Sequence, residues 1–260
     1  MPEKVLFVVG DNLATRSNSV DLVSLSEFTA SLKGEVISEP FPIVIPGQGV
    51  EEYEREIVRS KLRQHGLPES ILKDIPLPEL LYHSEVHKRK PENVLIAGLR
   101  KVEDGLFKAT LRISDRQEMV LDHTTGSHVT AMVITEAVRQ ISLAVGERYL
   151  LAPSGKARRF ILNSLQTTFH TFLLPLPAQL EYSVQEVSQK GPNRLRFRGR
   201  CELVQAGVVA ASGSMDMVVM EEERADRIEA ERIRETTRAL AELYEEGDAA
   251  RMVLSRPAAS

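Results

Sequence analysis

Apolar positions follow three regimes along the 260 residues. Up to about residue 83, short apolar runs stopped by glycine alternate with helical spacing. "KVLFVV" is short, rich in β-branched and aromatic residues and stopped by "GDN", which predicts a buried strand. Val20 to Leu32 carries a helical set at Leu22, Leu25, Phe28 and Leu32. "FPIVIPGQG" predicts a second strand, and "VEEYEREIVRSKLRQHG" a helix with acidic residues in its first turn and Gly66 as its stop. Together these make a small β–α–β–α unit, followed by a connector, "LPESILKDIPLPELL", broken by prolines.

From Ser84 to Met220 the period changes to two. "NVLIAGLRKVEDGLFKATLRI" predicts two strands around Glu103-Asp104-Gly105, with alternation at Phe107, Ala109, Leu111 and Ile113. "AQLEYSVQEV", "RLRFRGRCEL" and "VVAASGSMDMVVM" continue as an antiparallel meander. One helix interrupts them, expected over Val129 to Leu150. It is apolar at Met132, Val133, Ile134, Ala137, Val138, Ile141, Leu143, Ala144, Val145 and Tyr149. Its polar side chains, Glu136, Arg139, Gln140 and Glu147, fall on one narrow stripe. A helix so apolar must be covered on nearly all sides, and a sheet that curls around it does so. The expected fold class is therefore α+β, a hotdog domain over 84–220. A small α/β unit with its connector precedes it at 1–83, and a charged helix and tail follow at 221–260. In that last segment Ile233, Thr236, Leu240 and Leu243 form a seam expected to dock on the body or on a partner.

Composition narrows the possible partners. A formal charge of -4 and a pI near 5.9 leave no electrostatic footprint for nucleic acid or anionic membrane. Cys201 is the single cysteine, so the chain forms no internal disulfide and no cysteine-based zinc site. The opening apolar run of about six residues is too short for a signal sequence or a spanning helix. The expectation is a cytoplasmic protein with no membrane or nucleic-acid partner, no metal and no cofactor.

Three ordered blocks carry a resemblance: "SEVHKRKPENVLIAGLRKVEDGLFKATLRI", "DHTTGSHVTAMVITEAVRQISLAVGERYL" and "FILNSLQTTFHTFLLP". Over roughly residues 84–220 the chain resembles the A-factor biosynthesis hotdog domain. The resemblance implies a hotdog fold and chemistry on acyl thioesters, with acyl carrier protein or acyl-CoA as partner. Members that make γ-butyrolactone signals join a carrier-bound β-ketoacyl chain to a hydroxyl of dihydroxyacetone phosphate. More distant relatives dehydrate hydroxyacyl carriers or hydrolyse acyl-CoA. The chain departs from the pattern in holding one hotdog unit instead of two. It also reads "HVTAM" where family helices often begin His-Val-Pro-Gly-Met. Both departures favour the alternative of a non-catalytic acyl-binding or scaffolding member. A single hotdog leaves a sheet edge open, so a homodimer is expected.

Candidate chemistry centres on the polar stripe. Glu136, if partly withdrawn from water, has a raised pKa and exchanges protons near neutrality; on an exposed ridge it only pairs with Arg139 at i,i+3 or Gln140 at i,i+4. Arg139 either binds a substrate phosphate or clamps Glu136, and a tight clamp lowers that pKa and makes a poorer acid. Arg139 and Gln140 are thus candidate substrate contacts. The resemblance to dehydrating relatives makes His123 and His128, in the loop before the helix, candidate partners of Glu136, while a capped turn with solvated histidines explains the same letters. The amides of Val129, Thr130, Ala131 and Met132 are candidates to polarise a thioester carbonyl. His83 and His87 lack a third ligand at useful spacing for a metal, and His170 is expected to be a packed strand residue. Gly47 and Gly49 before a helix are explained by a turn needing positive φ, with a phosphate cradle as the lesser alternative.

Overall fold

A computed structural model describes residues 5–14, 21–34, 41–121, 127–151, 156–189 and 194–245. The N-terminal unit has strands β1 (Val5–Val9), β2 (Leu22–Ser24) and β3 (Ile43–Pro46), and helices α1 (Leu25–Gly34) and α2 (Glu52–Gln64). The strands form a parallel sheet in the order β2-β1-β3. Leu22 to Ser24 was expected to be helical. It pairs instead with Phe7 to Val9, because the free edge of β1 offers hydrogen bonds that helical spacing alone does not reveal. Reciprocal bonds between Glu51 and Glu54 cap α2 at its start, and Gly66, at φ 68, follows its end.

This unit is tied closely to the rest of the chain. The buried Gln48 amide donates to the carbonyls of Leu111 (3.0 Å) and Leu176 (3.3 Å) and accepts from the Ile113 N–H (2.7 Å). Gly49 N–H donates to the Ile113 carbonyl at 2.8 Å. Asn12 binds both carboxylate oxygens of Asp115, through its N–H at 2.9 Å and its side-chain amide at 3.1 Å.

The second sheet has six strands: β4 (Ile96–Glu103), β5 (Leu106–Leu111), β6 (Arg158–Phe169), β7 (Gln179–Gln189), β8 (Arg194–Gln205) and β9 (Val208–Glu221). All pairings are antiparallel, in the order β4-β5-β7-β8-β9-β6. A four-residue helix, α3 (Glu118–Leu121), precedes the long helix α4 (Ala131–Val145). The sheet wraps α4, whose Val133, Ala137, Val138, Ile141 and Ala144 are buried in one core with Leu111, Leu180, Cys201 and Leu203. Each large apolar side chain so buried contributes roughly 1.5–3 kcal/mol. Gly213 of β9 lets α4 approach: a Cβ there would lie 2.8 Å from a Val138 methyl and 3.0 Å from the Gln166 carbonyl. This is the hotdog architecture.

Helix α4 is shorter than the expected Val129 to Leu150. Thr130 caps it, its side chain accepting from the Val133 N–H at 3.3 Å, so Val129 precedes the helix. Gly146–Leu150 continues as one π-helical turn. The final helix α5 (Glu222–Glu245) docks by its first turns. Ala225 is buried against Val218 and Met220, and Arg159 forms ion pairs with Glu222, Asp226 and Glu229. Of the seam expected to dock, Ile233, Thr236 and Leu240 are exposed and Leu243 is half-buried, whereas the contacts to the body come from the first two turns. His170 is likewise not packed: it sits exposed just past β6, its Nε2 3.0 Å from the Ser212 hydroxyl. No described helix is long and apolar enough to cross a membrane.

Candidate functional site

The polar stripe of α4 meets the segment that enters β4. Arg139 binds Glu136 through two parallel N–H bonds, both 2.7 Å, and donates a further bond to the Val86 carbonyl at 3.2 Å. Lys88 Nζ lies 2.8 Å from Glu136 Oε1. Gln140 donates to the Asn93 carbonyl (2.8 Å) and to Glu136 (3.0 Å), and accepts the Leu95 N–H at 2.8 Å. Four side chains and the backbone of three residues, Val86, Asn93 and Leu95, thus close one network around a carboxylate that is 13% exposed.

That network reverses the expected proton chemistry of Glu136. Burial pushes its pKa up, but the bonds from Arg139 and Lys88, the charge of Arg139 and the Gln140 amide outweigh burial and hold it down, at about 2 against an ordinary 4.5. The expectation of a raised pKa is corrected: at neutral pH Glu136 is an anion with no proton to give. Gln140, expected at a substrate, is fully buried with both ends of its amide spent on backbone. Arg139 takes the clamping arrangement, its Nε and Nη2 committed to Glu136 and Val86.

Lys88, Val86 and Asn93, which complete the network, were not singled out from the sequence. Their signal was their place in the first block of the resemblance, "SEVHKRKPENVL". His87 from the same block lies with its Nε2 3.6 Å from Glu147 and its ring edge-on to Phe160, with centroids 5.1 Å apart. His83 donates from Nδ1 to the Lys88 carbonyl (2.9 Å), and no group of three ligand side chains that would hold a metal occurs among the described residues.

The start of α4 is the second part of the site. Val129 N–H is spent on the Leu173 carbonyl (2.7 Å). Thr130 is the cap, and no acceptor among the described residues serves the N–H groups of Ala131 and Met132. These amides carry the positive end of the helix dipole. His128 stacks at 4.9 Å on Phe172. Met132 and Phe172, 63% and 70% exposed, give this end an apolar rim. His123 lies outside the described residues.

The model of one protein family, the A-factor biosynthesis hotdog domain, matches residues 73–221, beginning eleven residues before the expected boundary at Ser84. No curated protein matches the chain. Among solved structures, the chain is similar to a conserved protein from Pseudomonas aeruginosa (10% identity, 47% of this chain and 86% of that one, TM-score 0.34). It is similar also to a mutant thioesterase from the same organism (12%, 48% and 81%, TM-score 0.35). A third likeness is to AziG of S. sahachiroi (16%, 48% and 90%, TM-score 0.34). At these identities and scores the likenesses to solved structures carry nothing about activity.

Proposed function

The chain belongs to the A-factor biosynthesis hotdog domain family, and from that premise we propose that it handles acyl thioesters, moving the acyl group from an acyl carrier protein or coenzyme A thioester to an acceptor hydroxyl, as in the making of a butyrolactone-type signal or secondary metabolite. The supporting observation is the start of α4, where the unused amides of Ala131 and Met132 lie beside the apolar rim of Met132 and Phe172. A thioester carbonyl accepting from those amides has its developing negative charge stabilised there. The acceptor oxygen attacks that carbonyl carbon, His128 takes the hydroxyl proton, and the thiolate leaves with it. Glu136 acts through position: it keeps Lys88, Arg139 and the 86–95 segment in place behind the helix. Two copies joined along the open edge of β6 complete the assembly in this reading.

A second reading, a non-catalytic acyl-binding protein, is favoured by the carboxylate of Glu136 being spent on ion pairs. One experiment separates the two. Acyl carrier and coenzyme A thioesters are offered with and without dihydroxyacetone phosphate, thiol release is followed, and co-purifying lipids are identified by mass spectrometry. Acceptor-dependent thiol release that falls about 10²-fold or more in His128→Ala supports transfer. Retained acyl lipid without release selects binding. Neither release nor retention overturns both.

A further inference from the structure

Arg55 of α2 is 3% exposed, yet no described ion pair involves it. Its Nη1 donates to the Ile75 carbonyl at 2.5 Å, while its buried Nε–H has no acceptor among the described residues. Guanidinium groups stay charged in proteins, and a buried one without a partner is costly. Burial accordingly pulls its pKa down, the more distant Glu52 and Asp74 push it up, and the nearby cations Arg59 and Arg112 oppose them. A buried donor left open calls for an acceptor.

The surroundings describe that acceptor. Arg55 lines a cleft of about 200 Å³ between the N-terminal unit and the hotdog body, together with Arg112, Gly47, Gly49 and Glu51. Arg112 is 15% exposed in its side chain and is held by Glu51 at 3.3 Å and by the Pro78 carbonyl at 3.1 Å. Two guanidinium groups and one carboxylate, Glu51, are the charged side chains that line the cleft; Glu52 and Asp74, which also act on Arg55, are paired with Arg59. Gly47 and Gly49 shape the wall before the 13-residue α2, their N–H groups donated to the Val8 and Ile113 carbonyls and the first turn capped by Glu51 and Glu54. Val50, Ile75, Leu77 and Pro177 make the remaining wall apolar.

We propose that this cleft is a binding site for a small oxyanion, a phosphate or carboxylate head with room for a short apolar portion, which accepts from Arg55 and Arg112. The site lies apart from the start of α4 and does not depend on thioester chemistry. Such a ligand would bridge the two units, since its contacts come from α2 on one side and from Arg112, just past β5, on the other.

The test is thermal unfolding of the full chain with inorganic phosphate or with butyrate, against sodium chloride at equal ionic strength. A ligand that binds only the folded state raises Tm in a saturating manner. Response to phosphate alone assigns a phosphate head, response to butyrate alone a carboxylate, and response to both the shared oxyanion chemistry; each supports the site. Arg55→Lys keeps the charge and loses the planar fork, and is expected to weaken the response at least tenfold. A wild-type chain indifferent to both anions overturns the proposal, as does an unchanged response in Arg55→Lys. Because Arg55 also holds the Ile75 carbonyl, that variant is checked by circular dichroism. If it does not fold, Arg112→Gln takes its place with the same two outcomes.

Discussion

Replacing Glu136 by Gln tests the central network most directly. A carboxyl group whose pKa is about 2 in the folded protein and 4.5 ordinarily contributes about 3 kcal/mol at neutral pH, since one pH unit corresponds to about 1.4 kcal/mol. The pKa is depressed on folding, so this stability is fully present above pH 4.5 and is lost as pH falls toward 2. Glu136→Gln keeps the shape and the contact with Gln140 but leaves Lys88 and Arg139, each 24% exposed, without their counter-charge. Removing one partner of a largely buried pair costs about 3–5 kcal/mol. Both routes give a loss of about 3 kcal/mol at pH 7. Urea unfolding of wild type and variant, followed by far-ultraviolet circular dichroism at pH 7, 5, 4 and 3, measures it. The difference should be largest at pH 7 and 5 and shrink at pH 4 and 3. A difference below about 1 kcal/mol at pH 7, or one that does not change with pH, would refute the assignment of Glu136 as an ionised brace.

Four further outcomes are expected. Gly213→Ala forces a methyl to 2.8 Å from Val138 and 3.0 Å from a backbone carbonyl, and should cost about 1–3 kcal/mol by overpacking, measured by the same unfolding assay. Gln48→Ala strips three bonds that join the N-terminal unit to the body and should cost about 2–3 kcal/mol, with limited proteolysis showing a new cut near the junction. Truncation after Met220 uncovers Val218 and Met220 and should lower Tm by about 2–4 °C, whereas truncation after Glu229 should leave Tm unchanged; equal effects would show that the exposed seam docks after all. Light scattering should report twice the 29.0 kDa of one chain, and a stable monomer at micromolar concentration would remove the proposed pairing along β6.

Much of the architecture was legible because period is a local property. Alternation at Phe107, Ala109 and Leu111 announced β5, and the near-continuous apolar circumference from Val133 to Val145 announced a helix wrapped by sheet. Pattern also picked out Glu136, Arg139 and Gln140 as one stripe. What occupied that stripe was beyond any local signal, since Lys88, Val86 and Asn93 lie some fifty residues away and meet it only after β4 joins the sheet. A carboxylate near neutral pH and one near pH 2 share the same letters; the partners decide. The same holds for Leu22 to Ser24, where a neighbouring strand edge overrode helical spacing, and for Ile233 and Leu240, whose amphipathic pattern says that a face is apolar but not whether the helix stays on the body long enough to bury it. Arg55 reads in sequence as one charge on a helix, and only the packing of α2 against the connector and the body withdraws it from water and leaves its Nε–H open.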